Sequence, residues 1–257
     1  MSDMPGGLLS YPRGIMATVY RETTAPGELE GVVRCRWEDT GRAPKRIVPD
    51  GCVDLVESGG EVFVAGPDTT AWTWETPPGV RARGVRFAPG RAHDVLGLGA
   101  DELRDQRVPL RDLWGKEGEL LAERVLRGAA SLSDVVAERR TGRGDREIAE
   151  LIARLDRGVP RVSAALAPFS TGERQLRRRF TLAVGYGPAT YLRVTRFQRA
   201  IGLAGKAPDL ASLAFEAGYA DQAHLSRDCR EFAGVQAREF FRAKKCDMSI
   251  VDRYSAR

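Results

Sequence analysis

Histidine and cysteine are scarce in this chain, and their scarcity excludes several kinds of site. The only histidines are His93 and His224, so a metal cupin enzyme, which needs several clustered histidine ligands, is not expected. The four cysteines are scattered and form no CxxC pair, which argues against a disulfide framework or a zinc site. A nucleophile elbow, a phosphate-binding glycine loop and an HExxH motif are also missing. We therefore predict a protein that is not an enzyme and that has no cofactor and no metal.

Long apolar runs are missing as well. No run approaches the ~18 residues of a membrane-spanning helix, and the amino terminus lacks the basic-then-apolar pattern of a secretory signal. We therefore expect a cytoplasmic protein with no membrane segment. Hydrophobic residues make up 42% of the chain and charged residues 29%, which is ordinary for a globular protein, and the length of 257 residues suits two domains.

A repeated pattern with an offset of 49 residues occupies roughly residues 162–240. In each copy, an apolar helix and a turn precede a second helix that carries leucine and arginine two residues apart. A turn containing glycine and then an aromatic residue follow. The matched pairs are Ala165 with Ala214, Leu176 with Leu225, Arg178 with Arg227, Gly185 with Gly234, and Tyr191 with Phe240. A fixed period of this kind indicates one supersecondary unit used twice, here a helix-turn-helix that ends in a basic helix.

Each copy carries its own helix signals. In the second, Gly218 offers a place for one helix to stop, and Asp221 can cap the next by accepting from its free backbone N–H groups. With Leu225, Cys229 and Phe232 turned inward, the outer face of that helix suits a major groove. The residues on or near that face are Gln222, Ala223, His224 and Arg227. In the first copy, Leu176 and Phe180 are four residues apart and anchor one face, and arginines cover the rest.

These residues resemble the AraC-type (AraC/XylS) helix-turn-helix transcriptional regulators. The likeness lies in residues 173–180 (ERQLRRRF), 187–188 (GP), 196–200 (RFQRA) and 218–227 (GYADQAHLSR), and it covers roughly residues 146–243. It implies a seven-helix domain in which one long linker helix holds two recognition helices apart, so that they enter successive major-groove segments of DNA. Gly172, Cys229 and Ala237 depart from the residues usual in the family.

By matching position, the resemblance also implies which residues contact bases or nearby phosphates. They are Arg174, Gln175, Arg177 and Arg178 on the first helix and Gln222, Ala223, His224 and Arg227 on the second. Residues 141–257 carry 21 lysines and arginines against 13 acidic residues, whereas the preceding 140 residues carry 19 against 22. Seven arginines and no acidic residue lie between Arg174 and Arg199, as expected of a surface that contacts phosphates. The alternative is that these arginines only form a solvated helix face.

The linker helix is predicted over residues 189–204, because Pro188 suits a first helical position and Gly205 with Pro208 marks an end. At 1.5 Å per residue, such a helix is about 24 Å long, which with its flanking turns approaches the ~34 Å between successive major-groove faces. Both recognition helices are therefore expected to bind at once.

The amino-terminal half has a different pattern. Short β-type runs at residues 31–37, 52–56, 61–65, 71–74 and 80–87 are separated by turns rich in glycine and proline. They predict a small antiparallel β barrel or sandwich, cupin-like, with helices at residues 117–127 and 132–140. The fold class is therefore α+β, with an all-α tandem helix-turn-helix domain at the carboxy terminus. We predict one domain over residues 1–140 for ligand sensing or dimerisation and a DNA-binding domain over residues 145–246, joined by a linker at residues 141–144.

This half also resembles the sensor-like domain found ahead of many AraC-type DNA-binding domains, through residues 48–55 (VPDGCVDL), 66–67 (GP) and 84–90 (GVRFAPG). A barrel mouth is a common place for a small-molecule pocket. The candidate ligand-binding residues are Asp50, Asp54, Trp72, Trp74 and Arg86. The alternatives are that Asp50 belongs to a turn, that Asp54 pairs with Arg86, and that the tryptophans lie in the core. For Cys52 a buried structural thiol is favoured over a reactive one, because no neighbour in the sequence lowers its pKa.

The leading interpretation is a sequence-specific, ligand-responsive transcription factor. A DNA-binding regulator whose amino-terminal domain only dimerises or contacts a protein partner is the alternative, and a small-barrel enzyme with an appended DNA-binding module is a third. Candidate partners are double-stranded DNA, a small-molecule effector, RNA polymerase and a second copy of the chain. Apolar stripes suggest the second copy, unless they only complete the domain's own core. Their residues are Leu120, Leu121, Val125, Leu132, Val135 and Val136.

Overall fold

A computed structural model describes residues 20–40, 45–74 and 80–246. Residues 1–19 of the predicted amino-terminal domain lie outside these ranges. Eight strands lie within them: β1 (Tyr20–Thr24), β2 (Val33–Asp39), β3 (Lys45–Ile47), β4 (Asp54–Ser58), β5 (Glu61–Ala65), β6 (Trp72–Trp74), β7 (Ala82–Phe87) and β8 (Arg107–Pro109). Six form one antiparallel sheet in the order β1-β2-β7-β4-β5-β8, and β3 pairs with β6 in a second, small sheet. Each of the five predicted β-type runs overlaps a strand.

The α+β class with an antiparallel amino-terminal sheet is confirmed, but of the predicted barrel or sandwich the closed barrel is not formed. Strands β1 and β8 are the two edges of the large sheet, and over the described residues no ladder of hydrogen bonds joins them. The reason lies in β8, which is only three residues long and ends at Pro109, a residue without a backbone N–H. The chain continues directly into a helix at Leu110. The sheet therefore stays open, and helices cover one of its faces.

The two faces of the large sheet differ in chemistry. One face presents Leu55, Val64, Val85 and Phe87, all buried. They pack with the helices α1 (His93–Leu96), α2 (Leu110–Leu126) and α3 (Leu132–Arg139) in one apolar cluster. On the opposite face, Cys35 of β2, Arg86 of β7 and Asp54 of β4 are direct cross-strand neighbours. This alternation places the predicted ligand-binding carboxylate and guanidinium away from the apolar cluster.

The carboxy-terminal part contains seven helices within residues 146–246, the number implied by the family resemblance. They are α4 (Arg146–Asp156), α5 (Val162–Leu166), α6 (Glu173–Val184), α7 (Pro188–Leu203), α8 (Leu210–Ala217), α9 (Gln222–Ala233) and α10 (Ala237–Cys246). The predicted caps are confirmed: Asp145 accepts from two N–H groups at the start of α4, and Asp221 accepts from His224 N at 2.6 Å. The linker helix α7, predicted over residues 189–204, begins at Pro188 and ends at Leu203, one residue earlier at each end.

The two parts of the chain pack against each other. Val48, from the loop between β3 and β4, belongs to the apolar cluster of the carboxy-terminal helices, and Ala71 packs against the same cluster. The segment at residues 141–144, predicted as a linker, is held against α1, because the N–H of Thr141 donates to the carbonyl of Asp94 at 2.9 Å. Over the part of the chain that the structure describes, no helix has the length and apolar character needed to cross a membrane.

The apolar stripes of α2 and α3 are used almost entirely within the domain. Five of the six residues named for a dimer surface are buried in the amino-terminal cluster: Leu121, Val125, Leu132, Val135 and Val136. Leu120 is 53% exposed. These helices therefore complete the core of their own domain, which was the alternative to dimerisation.

Candidate DNA-binding interface

The second helix-turn-helix consists of α8, a tight turn and α9. Gly218 ends α8 in the left-handed conformation with φ 88°, and Asp221 caps α9. Leu225, Cys229 and Phe232 are buried, as predicted. The candidate DNA-contacting residues lie outward: Ala223 and Arg227 are exposed, and Gln222 and His224 are half-buried. The His224 ring stands edge-on to Tyr219 with the ring centroids 5.0 Å apart.

The first helix-turn-helix, made by α5 and α6, has the same construction. Leu176 and Phe180 are buried, as predicted. Gly172 caps α6 without a side-chain hydrogen bond. The candidate residues Arg174, Gln175 and Arg178 are exposed, and Arg177 is half-buried. Arg177 also pairs with Glu173, one turn earlier, at 2.6 Å.

The aromatic residue that follows each unit is buried in both. Tyr191 packs edge-on against Phe180 at 5.5 Å between centroids, and Phe240 packs against Phe197 at 5.5 Å. Tyr191 and Phe240 are matched by the offset of 49 residues, and both are buried. The repeat therefore places a buried aromatic residue after each unit, but the ring that it contacts differs, since Phe180 lies on α6 and Phe197 on α7.

Besides the Arg177–Glu173 pair within α6, four of the seven arginines between Arg174 and Arg199 bond to other parts of the protein. Arg179 donates to Asp145 at 2.7 Å and to Glu147 at 2.6 Å, so it ties α6 to α4. Arg193 donates to Asp228 at 2.7 Å and to Glu231 at 2.9 Å, so it ties α7 to α9. The other two donate to backbone carbonyls.

Those two arginines join the linker helix to neighbouring helices. Arg196 bonds to the carbonyl of Pro160 at 2.7 Å, and Arg199 bonds to the carbonyls of Asp156 and Ala217 at 3.1 and 3.2 Å. We therefore assign Arg179, Arg193, Arg196 and Arg199 to the fold. Within the described residues, Arg174, Arg177 and Arg178 are the three of the seven that have no hydrogen bond or ion pair to another helix.

In this region the charged forms of two carboxyl groups and the neutral form of one thiol are favoured. Burial raises the pKa of Asp145, but the hydrogen bonds from Arg179 and from backbone N–H groups outweigh it and lower the pKa. Hydrogen bonds from Thr171 and Arg179 lower the pKa of Glu147. Burial raises the pKa of the Cys229 thiol to about 12, so this thiol is protonated at neutral pH and packs as a small apolar group.

The linker helix α7 is almost entirely enclosed. Its buried residues include Tyr191, Val194, Phe197 and Gln198. Its 16 residues span about 24 Å at 1.5 Å per residue. A buried helix in a well-packed core is stiff, so α7 holds the two units at a defined separation.

The candidate ligand-binding residues fall into two groups. Asp54 accepts two hydrogen bonds from Arg86, both at 3.0 Å, and a carboxylate oxygen of Asp50 lies 3.6 Å from the Arg86 Nε. The pairing of Asp54 with Arg86, predicted as an alternative to ligand binding, is therefore present. Asp50 also accepts from the N–H of Cys52 at 2.9 Å, which is a turn contact. Cys52 is buried, as expected of a structural thiol.

The tryptophans belong to the second group, on the small sheet. Trp72 donates from Nε1 to Asp68 at 2.9 Å, and Trp74 stands edge-on to Trp72 at 5.4 Å. Arg107 of β8 lies 4.0 Å from the centre of the Trp72 ring and bonds to Asp68 at 2.8 Å. Burial raises the pKa of Asp68 to about 6, against the opposing effect of Arg107. The negative charge of Asp50, from the first group, also raises the pKa of Asp68.

Sequence reasoning missed several residues on the same face of the large sheet. Glu22 lies 3.6 Å from Arg86, Tyr20 stacks on Trp37 at 6.1 Å, and Cys35 lies across the strands from Arg86. Strand β1 carries the first two and has no alternating apolar pattern, so only the strand pairing reveals them. Among the residues that the structure describes, no three His, Cys, Asp or Glu side chains are grouped so that they could hold a metal ion.

Comparison with known proteins divides the chain in the same way. Residues 167–243 match a helix-turn-helix domain family, and residues 21–109 match a family described as a domain of unknown function, DUF6597. No curated protein matches the chain. Among solved structures, ToxT from Vibrio cholerae O395 is 9% identical with a TM-score of 0.43, covering 80% of this chain and 95% of ToxT.

Two further ToxT structures are similar at the same level. ToxT bound to (E)-4-(8-methylnaphthalen-1-yl)but-3-enoic acid is 12% identical with a TM-score of 0.42, covering 78% of this chain and 90% of ToxT. Wild-type ToxT of strain SCE256 with an unsaturated fatty acid bound is 8% identical with a TM-score of 0.42, covering 80% of this chain and 93% of ToxT.

Proposed function

We propose that this chain, whose carboxy-terminal part is an AraC-type helix-turn-helix domain, is a transcriptional regulator that places α6 and α9 in successive major-groove segments of one DNA site. The observation that carries the proposal is the matched exposure of the two helices. Arg174 and Arg178 on α6, and Arg227 on α9, all point to solvent. Within the described residues, no ion pair engages any of these three guanidinium groups.

Base recognition is assigned to residues near the start of each helix, because recognition helices contact base edges with their amino-terminal residues. These are Arg174, Gln175, Arg177 and Arg178 on α6, and Gln222, Ala223, His224 and Arg227 on α9. Guanidinium groups pair with guanine, a glutamine amide pairs with adenine, and an alanine methyl group packs against a thymine methyl group.

Selection of duplexes from a randomised pool by the full chain tests this function. A sequence-specific regulator with two recognition helices should enrich two conserved half-sites about one helical turn apart, ~34 Å along the duplex. A chain that enriches no sequence, or only one half-site, would contradict the proposal. A control protein with Arg174, Arg178 and Arg227 all changed to alanine should enrich nothing.

We further propose that residues 1–140 form a domain whose polar sheet face binds a small molecule. The supporting observation is the chemistry of this face. The side chain of Arg86 is only 13% exposed and is surrounded by the carboxylates of Glu22, Asp50 and Asp54. Aromatic rings lie on both sides, with Trp37 and Tyr20 at one edge, and Phe63 with Trp74 and Trp72 at the other. Apolar walls with a few oriented polar groups are typical of ligand sites.

A thermal-shift screen of the full chain against metabolites tests the ligand. A compound that binds only the folded state raises the melting temperature, and the stabilisation grows with the logarithm of its concentration relative to Kd. The shift should disappear in Trp72→Ala, whereas Phe215→Ala, which alters an exposed ring on α8, should keep it. A compound whose shift survives Trp72→Ala binds elsewhere and would count against this face.

The alternative function for this region is protein contact or dimerisation. Two leucines of α2 support it, because Leu120 is 53% exposed and Leu126 is 41% exposed. Sedimentation at micromolar concentration distinguishes the alternatives. A dimer that becomes monomeric in Leu120→Lys would support dimerisation, whereas a single species of 28.2 kDa would contradict it.

A further inference from the structure

The amino-terminal region contacts the same point in both helix-turn-helix units. Gly185 ends α6 and Gly234 ends α9, both in the left-handed conformation, with φ 97° and 70°. The two glycines are matched by the offset of 49 residues. The contacts with the amino-terminal region lie at these two carboxy-terminal helix ends.

At α6 the contact is a close fit. A Cβ added at Gly185 would lie 2.3 Å from Cγ of Pro67 and 3.0 Å from the carbonyl oxygen of Ala100. Leu182, one turn earlier on α6, would lie 3.4 Å from a Cβ at Gly99. Pro67 itself is buried in the loop that follows β5. No side chain larger than a hydrogen fits between this loop and the end of α6.

At α9 the contact is polar. A guanidinium nitrogen of Arg46, on β3, donates to the carbonyl of Ala233, the last residue of α9. The same side chain lies 3.8 Å from where a Cβ of Gly234 would be. The last carbonyls of a helix carry partial negative charge and lack partners within the helix, so a cation is favourable at this position.

A third contact holds the linker helix between these two points. Gln198 of α7 donates from Nε2 to the carbonyl of Pro49 at 2.6 Å, and the Gln198 side chain is buried. Beside it Gly51, with φ 75°, lies against Tyr191, so close that a Cβ would be 2.8 Å from the ring. The loop between β3 and β4 is thus fitted onto α7.

We propose that the amino-terminal region is a brace that fixes the spacing and tilt of α6 relative to α9, with Pro67 and Arg46 as the positioning residues for the first and second recognition helix. This inference rests on the proposed function, in which both helices bind one DNA site. Recognition helices contact base edges with their amino-terminal residues, so contacts at their carboxy-terminal ends leave the DNA-facing surface open. The brace acts through the helices and does not itself touch DNA.

The functional consequence is discrimination between half-site separations. Two helices held at one separation match a duplex whose half-sites lie ~34 Å apart on one face, and inserting or removing a base pair rotates and shifts one half-site out of register. Without the brace, the two helices can move to fit a shifted half-site. Binding to the correct spacing then also requires ordering the helices, so its affinity advantage over an altered spacing is smaller. The dependence of affinity on spacer length therefore tests how the helices are positioned, whereas a general loss of stability would not change that dependence.

The test uses the full chain and a duplex selected by the wild-type protein from a randomised pool. Affinity is measured for that duplex and for duplexes with a base pair inserted or removed between the half-sites. Wild-type affinity should fall by about tenfold on each change, and Arg46→Ala and Pro67→Ala should reduce that fall to about twofold. Arg21→Ala, which removes an exposed arginine of β1, is the matched control and should keep the wild-type spacer dependence.

Footprinting separates positioning from loss of stability. Arg46→Ala should weaken protection of the half-site contacted by α9 and leave the other protected, and Pro67→Ala should do the reverse. If Arg46→Ala does not fold, Pro67→Ala carries the test. Variants that fold and keep the wild-type spacer dependence, or that weaken both half-sites equally, would overturn the brace while leaving the proposed function intact. A wild-type protein that selects no duplex would overturn both.

Discussion

Arg179 and Asp228 occupy the same position in the two helix-turn-helix units, 49 residues apart, and carry opposite charges. Each ties the second helix of its unit to the helix that precedes that unit in the chain. Arg179 of α6 pairs with Asp145 and Glu147 at α4, and Asp228 of α9 pairs with Arg193 of α7. The two units therefore keep an ion pair in one place while its polarity is reversed.

This relationship predicts unequal effects of substitution. Asp228 is 2% exposed, and Asp228→Ala leaves Arg193 without its buried partner, so we expect a loss of about 1–3 kcal/mol in the free energy of unfolding. The Arg179 side chain is 30% exposed, so Arg179→Ala should cost about 1 kcal/mol or less. Urea unfolding of both variants measures the difference, and equal losses would contradict the assignment of the buried pair.

Substitution of the matched arginines should weaken DNA binding. Arg178→Ala and Arg227→Ala should each reduce specific binding by ~1–3 kcal/mol, because each removes a guanidinium placed to reach bases or nearby phosphates. Arg157→Ala, an exposed arginine at the end of α4, is the matched control. Gel-shift titration with a selected operator gives the affinities. Unchanged affinity in both recognition-helix variants would remove these residues from the interface.

The dependence of binding on salt should reflect the reduced number of available arginines. With ~0.9 counterions released per phosphate contact, the seven arginines between Arg174 and Arg199 together with Arg227 would give a slope of log K against log salt of about −7. Arg174, Arg177, Arg178 and Arg227 alone would give about −3.6. Because Arg179, Arg193, Arg196 and Arg199 are held within the fold, we expect the smaller slope from the recognition helices. Filter binding across a range of salt concentrations measures it, and the steeper slope would indicate that arginines outside α6 and α9 reach the phosphates.

The loop between β3 and β4 should tolerate no side chain at Gly51. Gly51→Ala meets Tyr191 and places a non-glycine residue at φ 75°, whereas Gly59→Ala has φ 61° but open space around it. We expect Gly59→Ala to cost about 1 kcal/mol from backbone strain alone and Gly51→Ala to cost clearly more. Thermal unfolding of the two variants compares the effect of backbone strain alone, in Gly59→Ala, with the effect of backbone strain and a steric clash, in Gly51→Ala. Equal melting temperatures would show that the loop adjusts freely on α7.

The buried carboxyl of Asp68 should make stability fall as pH rises through acid values. Its pKa is raised from 3.8 to about 6 by burial, so between those two values the folded protein holds a proton that the unfolded chain releases. Stability from this group is therefore greatest below about pH 4, declines up to about pH 6 and is constant above that. Asp68→Asn should remove this decline, as seen by comparing unfolding free energies of the two proteins across the range. A parallel pH dependence in both would show that Asp68 does not titrate there.

The helix-turn-helix half was predictable because its signals are local. Asp145, Asp221 and Pro188 mark helix starts through short-range backbone chemistry, and apolar spacing marks the buried faces. The offset of 49 residues then identified the second unit from the first. Strands β2, β4, β5, β6 and β7 were also visible, since runs of β-branched and aromatic residues are local features. Strands β3 and β8 are three residues long and carry little pattern, and β1 lacks an alternating apolar pattern, so these three were missed.

What the sequence alone determined was the second helix of each helix-turn-helix unit and which of its residues lie outward, because both follow from helical periodicity and capping. Only the tertiary structure decided which arginines are available, since the partners of Arg179 and Arg193 lie 32 to 38 residues away along the chain. It also decided the open sheet, the Arg86 cluster and the contacts of Arg46 and Pro67 with the recognition helices. Those depend on which segments meet in space, and a charged side chain can pair with any opposite charge that the fold brings within reach.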